Sequence, residues 1–297
     1  MKPTMDNKGV IKKEKKIVSE VLGVGVERIE AIDESWQVRA YVVDDGKFVF
    51  KFPKNDQTQF ENEIRVLECI NGLRKDINLQ KVGWVREDNS YIGLHGVVGK
   101  RLDTVKLNDD MRQSLGKQLG RFLRKLHSVK WEGEPIWTVS HEIEKTHKAY
   151  DRERFKEYGF TDAELRKIEY LVYDYMPKKL NALGTKYVFS HGDFWEQNLF
   201  VDQNGKAGVI DFNYSGNFEE SVDFTGIDDN GLFQAVLDNY GADEALREKI
   251  RIRRLVAYVE PIGVIHTKSD FCQKDIDKLE SMITGVKATL KTVEVKK

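Results

Sequence analysis

Cysteine is almost missing from this sequence: 297 residues hold only Cys69 and Cys272, far apart and without metal-ligand spacing. That argues against a disulfide framework and makes a reducing cytoplasm the expected compartment. No apolar run approaches the roughly 20 residues needed to span a bilayer, so no membrane partner is expected. The basic opening, MKPTMDNKGVIKKEKK, is followed by no apolar signal core and reads as a solvated lead into a helix around Lys13 to Val21. Charge of one sign is lacking too. Lys+Arg at 48 nearly balances Asp+Glu at 49, which leaves no electrostatic reason to expect nucleic acid. The six histidines are scattered, with no paired helical spacing beside candidate aspartates, which argues against a zinc or di-metal hydrolase.

What is present is the material of a globular protein. Hydrophobic residues make up 40% and aromatics 10% of a chain long enough for one large domain or two lobes. Short runs rich in β-branched and aromatic residues predict strands over Arg28–Ile32, Val38–Val43 and Phe48–Phe52, with a turn at Asp44-Asp45-Gly46. Phe60, Ile64, Leu67 and Leu73 then recur at helical spacing, and strands are expected near Gly83–Val85 and Ser90–Leu94. From Asn108 the pattern turns helical: Met111, Leu115, Leu119, Phe122 and Leu126 form an apolar stripe with Asn108 as its cap. Thr161-Asp162-Ala163-Glu164 has the form of a capping box, opening a helix that carries Leu165, Ile168 and Leu171. Two short strands and a turn at Asn204-Gly205 interrupt this pattern between Tyr187 and Phe212, and helices are expected to resume near Glu219, Asp243 and Asp270.

The segment VFSHGDFWEQNLFVD, followed by KAGVIDF, is the most informative. Transfer of a phosphoryl group asks little covalent chemistry of a protein. It asks for a group that orients the accepting hydroxyl, for metal ions on the phosphates, and for positive charge nearby. Asp193 followed five positions later by Asn198 has the spacing that sets a base beside a metal ligand, and Asp211 ends the next short strand, where it can hold ions that bridge phosphates. Magnesium favours such hard oxygen donors. Alone, each residue reads as a cap or turn residue, and His191 as a structural hydrogen-bonding group. The ordered set points to a kinase. Upstream, Lys51 in FVFKFP suits the α- and β-phosphates, with Glu63 as its carboxylate partner and Glu61 as the competitor on another helix face.

Across essentially its whole length the chain resembles the aminoglycoside phosphotransferase family, which has the protein-kinase fold and carries His-Gly-Asp where protein kinases have His-Arg-Asp. The segments KFVFKFPK and FENEIRVL, with the acidic stretch after Ile210-Asp211-Phe212, are most similar to the branch acting on the 2''-hydroxyl of aminoglycosides. The resemblance implies an α+β, two-lobed, protein-kinase-like fold: a nucleotide-binding N-lobe of small antiparallel sheet plus helix over 1–93, a hinge over 94–99, and a mainly helical catalytic and substrate-binding C-lobe over 100–297. It implies Asp193 as catalytic base, Asn198 and Asp211 as magnesium ligands, and backbone at His95 to Val97 against the purine of ATP or GTP. It also implies a cytoplasmic, resistance-conferring enzyme of the alcohol-acceptor type, which we expect to be a monomer.

Between the first two strands, IDESWQV lacks the glycine-rich phosphate cradle of protein kinases, as the phosphotransferase family also does; Ser35 there reads equally as a phosphate contact or a turn cap. A polycationic acceptor would need carboxylates, and Asp228 and Asp229 suit amines better than Asp223, which matches a structural family aspartate. Glu260 stands among helices that form the substrate side in the family, and Trp195 reads as packing on the acceptor or in the core. NYSGNFEES departs from the family after Ile-Asp-Phe. Two other readings therefore stand: a metabolic kinase of the same fold acting on a sugar, ketosamine or amino alcohol, since Trp195 is similar to a fructosamine-kinase pattern, and a nucleotide-binding pseudokinase.

Overall fold

Alternating apolar residues on either side of a left-handed turn set up the first sheet. Helix α1 (Met5–Leu22) precedes strands β1 (Ile29–Ile32), β2 (Val38–Val43) and β3 (Phe48–Pro53). Between β2 and β3, Asp44, Asp45 and Gly46 all have positive φ (53°, 53° and 90°), and β2 and β3 pair antiparallel from Val43↔Phe48 to Val38↔Pro53. Short aspartate side chains and glycine tolerate that conformation best. The structure, a computed structural model, describes residues 5–32, 38–54, 60–86, 88, 90–265 and 273–291. Ser35, Asp270 and Cys272 lie outside the described residues, and the helix expected near Asp270 is described from Gln273 to Lys291.

Helix α2 (Glu61–Cys69) follows, with β4 (Asn78–Leu79), β5 (Lys81–Val85) and β6 (Ile92–His95). The five-stranded sheet runs in the order β1-β2-β3-β6-β5 with every pairing antiparallel. One face is packed by Ile29, Tyr41, Val43, Phe50, Phe52 and Tyr91 together with Val18 and its neighbours on α1. Glu14 of α1 accepts hydrogen bonds from Arg39 (2.8 Å) and the Tyr41 hydroxyl (2.6 Å), satisfying polar groups that burial would otherwise leave costly.

Strand β7 (Lys100–Arg101) leads to α3 (Asp109–Leu126), whose N-cap Asn108 accepts from the Met111 amide as the stripe predicts. Helices α4 (Val139–Ala149), α5 (Arg152–Glu157) and α6 (Asp162–Glu169) follow, α6 opening with the expected Thr161–Glu164 capping box. A π-helical turn at Tyr170–Tyr175 runs on into α7 (Met176–Ala182). Then come β8 (Tyr187–Ser190), β9 (Leu199–Val201), β10 (Ala207–Val209) and β11 (Gly216–Glu219). The sheet β4-β10-β9-β7 is separate from the first, and β8 pairs with β11. The chain ends in α8 (Asn230–Tyr240), α9 (Glu244–Val256), α10 (Val259–Ile265) and α11 (Gln273–Lys291). A helix near Glu219 is not found. Glu219 closes β11, a single 3-10 turn follows at Val222–Phe224, and the next helix starts at Asn230.

Residues 1–130, 189–216 and 226–241 form one compact unit, and 131–188, 217–225 and 242–297 another. In the first, α3 and α8 pack closely: a Cβ on Gly116 would lie 2.3 Å from the Cβ of Ala235, and one on Gly120 would lie 2.5 Å from the Val236 carbonyl oxygen. The second has its own core, including Phe155, Leu165, Ile168, Val172, Ile252 and Ile262. It also buries a charge network in which Glu219 accepts from Lys249 (2.8 Å) and meets Arg253 (2.9 Å), while Arg253 also bonds Glu142 (2.8 Å).

Candidate active site

Strand β3 carries Phe50, Lys51 and Phe52, all three buried. A lysine held there must find carboxylates, because an isolated buried ammonium is costly. It finds two. Lys51 Nζ lies 2.7 Å from Glu63 Oε1 and 2.9 Å from Asp211 Oδ1. Glu63 is fully buried on α2, whereas Glu61, two positions earlier and on another face, is exposed. Burial alone would push the Lys51 pKa down, but the Asp211 and Glu63 charges outweigh it and hold the ammonium above its ordinary value. Lys51 in turn holds the Asp211 carboxyl below the usual range. Burial raises Glu63, whose Oε2 has no hydrogen-bond partner.

Asp211 sits just after β10 with φ 66°, a conformation few non-glycine residues adopt. Three contacts fix it. Its amide donates to Gln80 Oε1 (3.0 Å), its carboxylate meets Lys51, and the preceding Ile210 amide donates to the Asn198 carbonyl (3.0 Å). On α2, Asn62 Nδ2 donates to the carbonyls of Asn213 (3.0 Å) and Ser215 (3.1 Å), so the helix that carries Glu63 is also tied to the loop after Asp211.

The loop from Ser190 to Leu199 turns at Gly192, with φ 81°. Asn198 Nδ2 donates to both the backbone carbonyl and Oδ2 of Asp193, each at 2.9 Å. With its amide nitrogen so engaged, Asn198 keeps its side-chain oxygen without a hydrogen-bond partner among the described residues. His191 is fully buried. Its Nε2 meets the Ile210 carbonyl (2.9 Å) and its Nδ1 accepts from the Asp193 amide (3.2 Å), a pattern that a neutral ring protonated on Nε2 satisfies. Its place is that of a brace between the loop and the strand before Asp211.

Lys51, Glu63, Asp193, Asn198 and Asp211 are thus brought together in one compact unit. His95 closes β6, with its ring stacked on Trp84 at 5.1 Å, and Val97 is buried two residues on. The half-buried Trp195 packs its ring against Gly226. Asp228 is exposed. Asp229 caps α8 and receives Arg112 at 2.9 Å, and Glu260 on α10 receives Lys145 at 2.7 Å, so both carboxylates already have cationic partners. Sequence reasoning missed Gln80, Asn62 and Glu196. The first two are lone polar residues without a motif, although Glu196 stands inside the informative loop.

A divalent cation fits this donor set. Asp211 and the open oxygen of Asn198 are both hard donors, and no cluster of three His, Cys, Asp or Glu suited to a metal occurs among the described residues. The pair therefore suits an ion that takes its remaining ligands from phosphate and water, as magnesium does.

The sheet-and-helix arrangement around a Lys–Glu pair and an Asp-Asn loop defines a kinase-like fold. The model of the phosphotransferase enzyme family (APH) matches residues 28–248, and the chain belongs to that family. It is accordingly a phosphotransferase with a hydroxyl group as acceptor. Among solved structures, the GDP complex of wild-type aminoglycoside 2'-phosphotransferase-IIIa is 19% identical with a TM-score of 0.70, covering 92% of this chain and 98% of that one. The GDP and kanamycin complex of APH(2")-IIia is 17% identical with a TM-score of 0.66, covering 92% and 99%. The choline kinase LicA from Streptococcus pneumoniae is 14% identical with a TM-score of 0.60, covering 93% and 99%. A comparison with curated protein sequences returned no match.

Proposed function

We propose that this chain transfers the γ-phosphoryl group of ATP or GTP, with magnesium, to a hydroxyl of a small cationic acceptor, an aminoglycoside in the first instance. The observation that carries the reading is Lys51 held between Glu63 and Asp211 (2.7 and 2.9 Å) in the unit where Asn198 bonds Asp193. Asp193 orients the acceptor hydroxyl and takes its proton. Asn198 fixes that carboxylate, and its own side-chain oxygen together with Asp211 would hold the metal. Bound there, magnesium would neutralise charge on the phosphates. Lys51 contacts the α- and β-phosphates, with Ser35 as a further phosphate contact.

In this reading residues 1–93 form the nucleotide-binding lobe, 94–99 the hinge whose backbone at His95 to Val97 meets the purine, and 100–297 the catalytic lobe. Asp228 and Trp195 are the first candidates for the acceptor; Asp229 and Glu260 would have to give up Arg112 and Lys145 to serve it. Neither a membrane nor nucleic acid has a part in the proposal, which takes the enzyme as a cytoplasmic monomer.

Those two internal ion pairs favour a second reading. With fewer carboxylates open to a polycation, the acceptor becomes a sugar, a ketosamine or an amino alcohol. One screen tests both: purified protein with magnesium and either purine nucleotide, crossed with aminoglycosides, amino sugars, ketosamines and amino alcohols. Product in the first group supports aminoglycoside transfer, and product only in the others supports the metabolic reading. No turnover with any acceptor or either nucleotide contradicts both and leaves a pseudokinase.

A further inference from the structure

Glu196 lies in the loop between Asp193 and Asn198. Its Oε1 accepts from two consecutive backbone amides, those of Asp228 (2.9 Å) and Asp229 (3.0 Å). Its own amide donates to the Gly226 carbonyl (3.1 Å), and Trp195 and Gly226 make a parallel bridge. The contact at Gly226 leaves no room for a side chain, since a Cβ there would lie 2.7 Å from the Phe194 carbonyl oxygen. The outer edge of the loop is therefore closed against residues 226–229.

Those residues belong to a stiff support. Asp229 is the N-cap of α8, where its Oδ1 accepts from the Leu232 amide at 2.9 Å. It also receives Arg112 of α3 through Nε (2.9 Å) and Nη2 (2.9 Å). Helices α3 and α8 meet at Gly116 and Gly120, too closely for either to slide without opening the contact. Two consecutive amides converging on one oxygen fix the Glu196 side chain beside the N-terminus of α8. The connected path runs from α3 through Arg112, Asp229 and the α8 N-terminus to Glu196, and so to the loop that presents Asp193.

We propose that Glu196 is a positioning residue, whose carboxylate clamps the loop bearing Asp193 and Asn198 to the N-terminus of α8. The inference rests on the transferase reading for its kinetic consequence, though not for the clamp itself. A misplacement of about 1 Å in a reacting group costs roughly 10²-fold in rate, so a loosened loop slows turnover while Lys51, Glu63 and Asp211, which lie outside the loop, keep their contacts with one another. Only one oxygen of Glu196 makes the two bonds, so Glu196→Gln keeps the acceptor atom. Glu196→Ala removes it, and Glu196→Asp, with the backbone held at Gly226, falls one methylene short.

The experiment compares the full-length wild type with Glu196→Gln, Glu196→Ala and Glu196→Asp, by hydrogen exchange over 193–198 and 226–230 and by steady-state kinetics with the best acceptor of the screen. The clamp predicts that Glu196→Gln exchanges as slowly as wild type and keeps at least about a third of kcat. It predicts that the Ala and Asp variants exchange at least about tenfold faster in both segments and lose about 10²-fold in kcat, with nucleotide KM within about threefold. Wild-type exchange in the Ala and Asp variants overturns it. Loss in Glu196→Gln equal to that in Glu196→Ala overturns it too, and assigns the role to the charge. If Ala does not fold, the Gln and Asp pair decides. If the wild type turns over no acceptor, the transferase reading fails while the exchange comparison still decides the clamp.

Discussion

Lys51 Nζ and Asp211 Oδ1 stand 2.9 Å apart although 160 positions separate them in the chain. The contact joins the third strand of the first sheet to the segment after β10, and Glu63 completes it from α2. Lys51→Met should remove the ammonium that both carboxylates bond. We expect kcat/KM to fall by about 10²–10³, the loss typical of deleting an electrostatic group at a reacting centre. Steady-state kinetics check this, and Glu63→Gln should show a smaller loss because Asp211 still holds the lysine.

Asp211→Ala should act on binding as well as on rate. Wild-type protein is expected to bind either purine nucleotide more tightly with magnesium than without it. The variant should lose that increment, because only Asn198 then remains of the proposed metal donors. Calorimetric titration with and without the ion reads the difference.

The Glu219 network predicts a pH dependence of stability. Burial would push the Glu219 carboxyl up, but Arg253 and Lys249 outweigh it and hold the group below its ordinary value. A carboxyl with a depressed folded pKa contributes stability that is fully present above its unfolded value of about 4.3 and is lost as pH falls through the folded value. Glu219→Gln should therefore lower Tm at pH 7, and the gap from wild type should narrow below about pH 4. Thermal melts across pH 3 to 8 check the sign.

Gly116 tests the support beneath the loop. A methyl group there would stand 2.3 Å from the Ala235 Cβ and 2.9 Å from its backbone, with no flexible side chain to yield. Gly116→Ala should destabilise the chain by about 1–3 kcal/mol through overpacking, visible as a lowered denaturation midpoint.

Much of this is legible in the amino-acid sequence. The β2 and β3 boundaries follow from β-branched and aromatic residues around the Asp44–Gly46 turn, the Asn108 cap and Thr161 capping box mark their helices, and the Lys51–Glu63 pair follows from motif chemistry. These features are local, or belong to residue types whose chemistry demands a partner. Strand β11 was not legible. In Gly-Asn-Phe-Glu only Phe218 favours a strand, and the two glutamates after it look like a helix start. Their burial comes from Lys249 and Lys186, which no local pattern announces. The brace from Gln80 to the Asp211 amide was hidden for the same reason: a single glutamine carries no periodicity.

The most direct measurement compares wild type with Asp193→Asn, a change that keeps side-chain size while removing the carboxylate. At saturating magnesium nucleotide with the best acceptor of the screen, kcat should fall by about 10²–10⁴, the range of general-base loss, while the dissociation constant for the nucleotide stays within about threefold. A wild-type rate in Asp193→Asn would contradict the assignment of this loop to phosphoryl transfer.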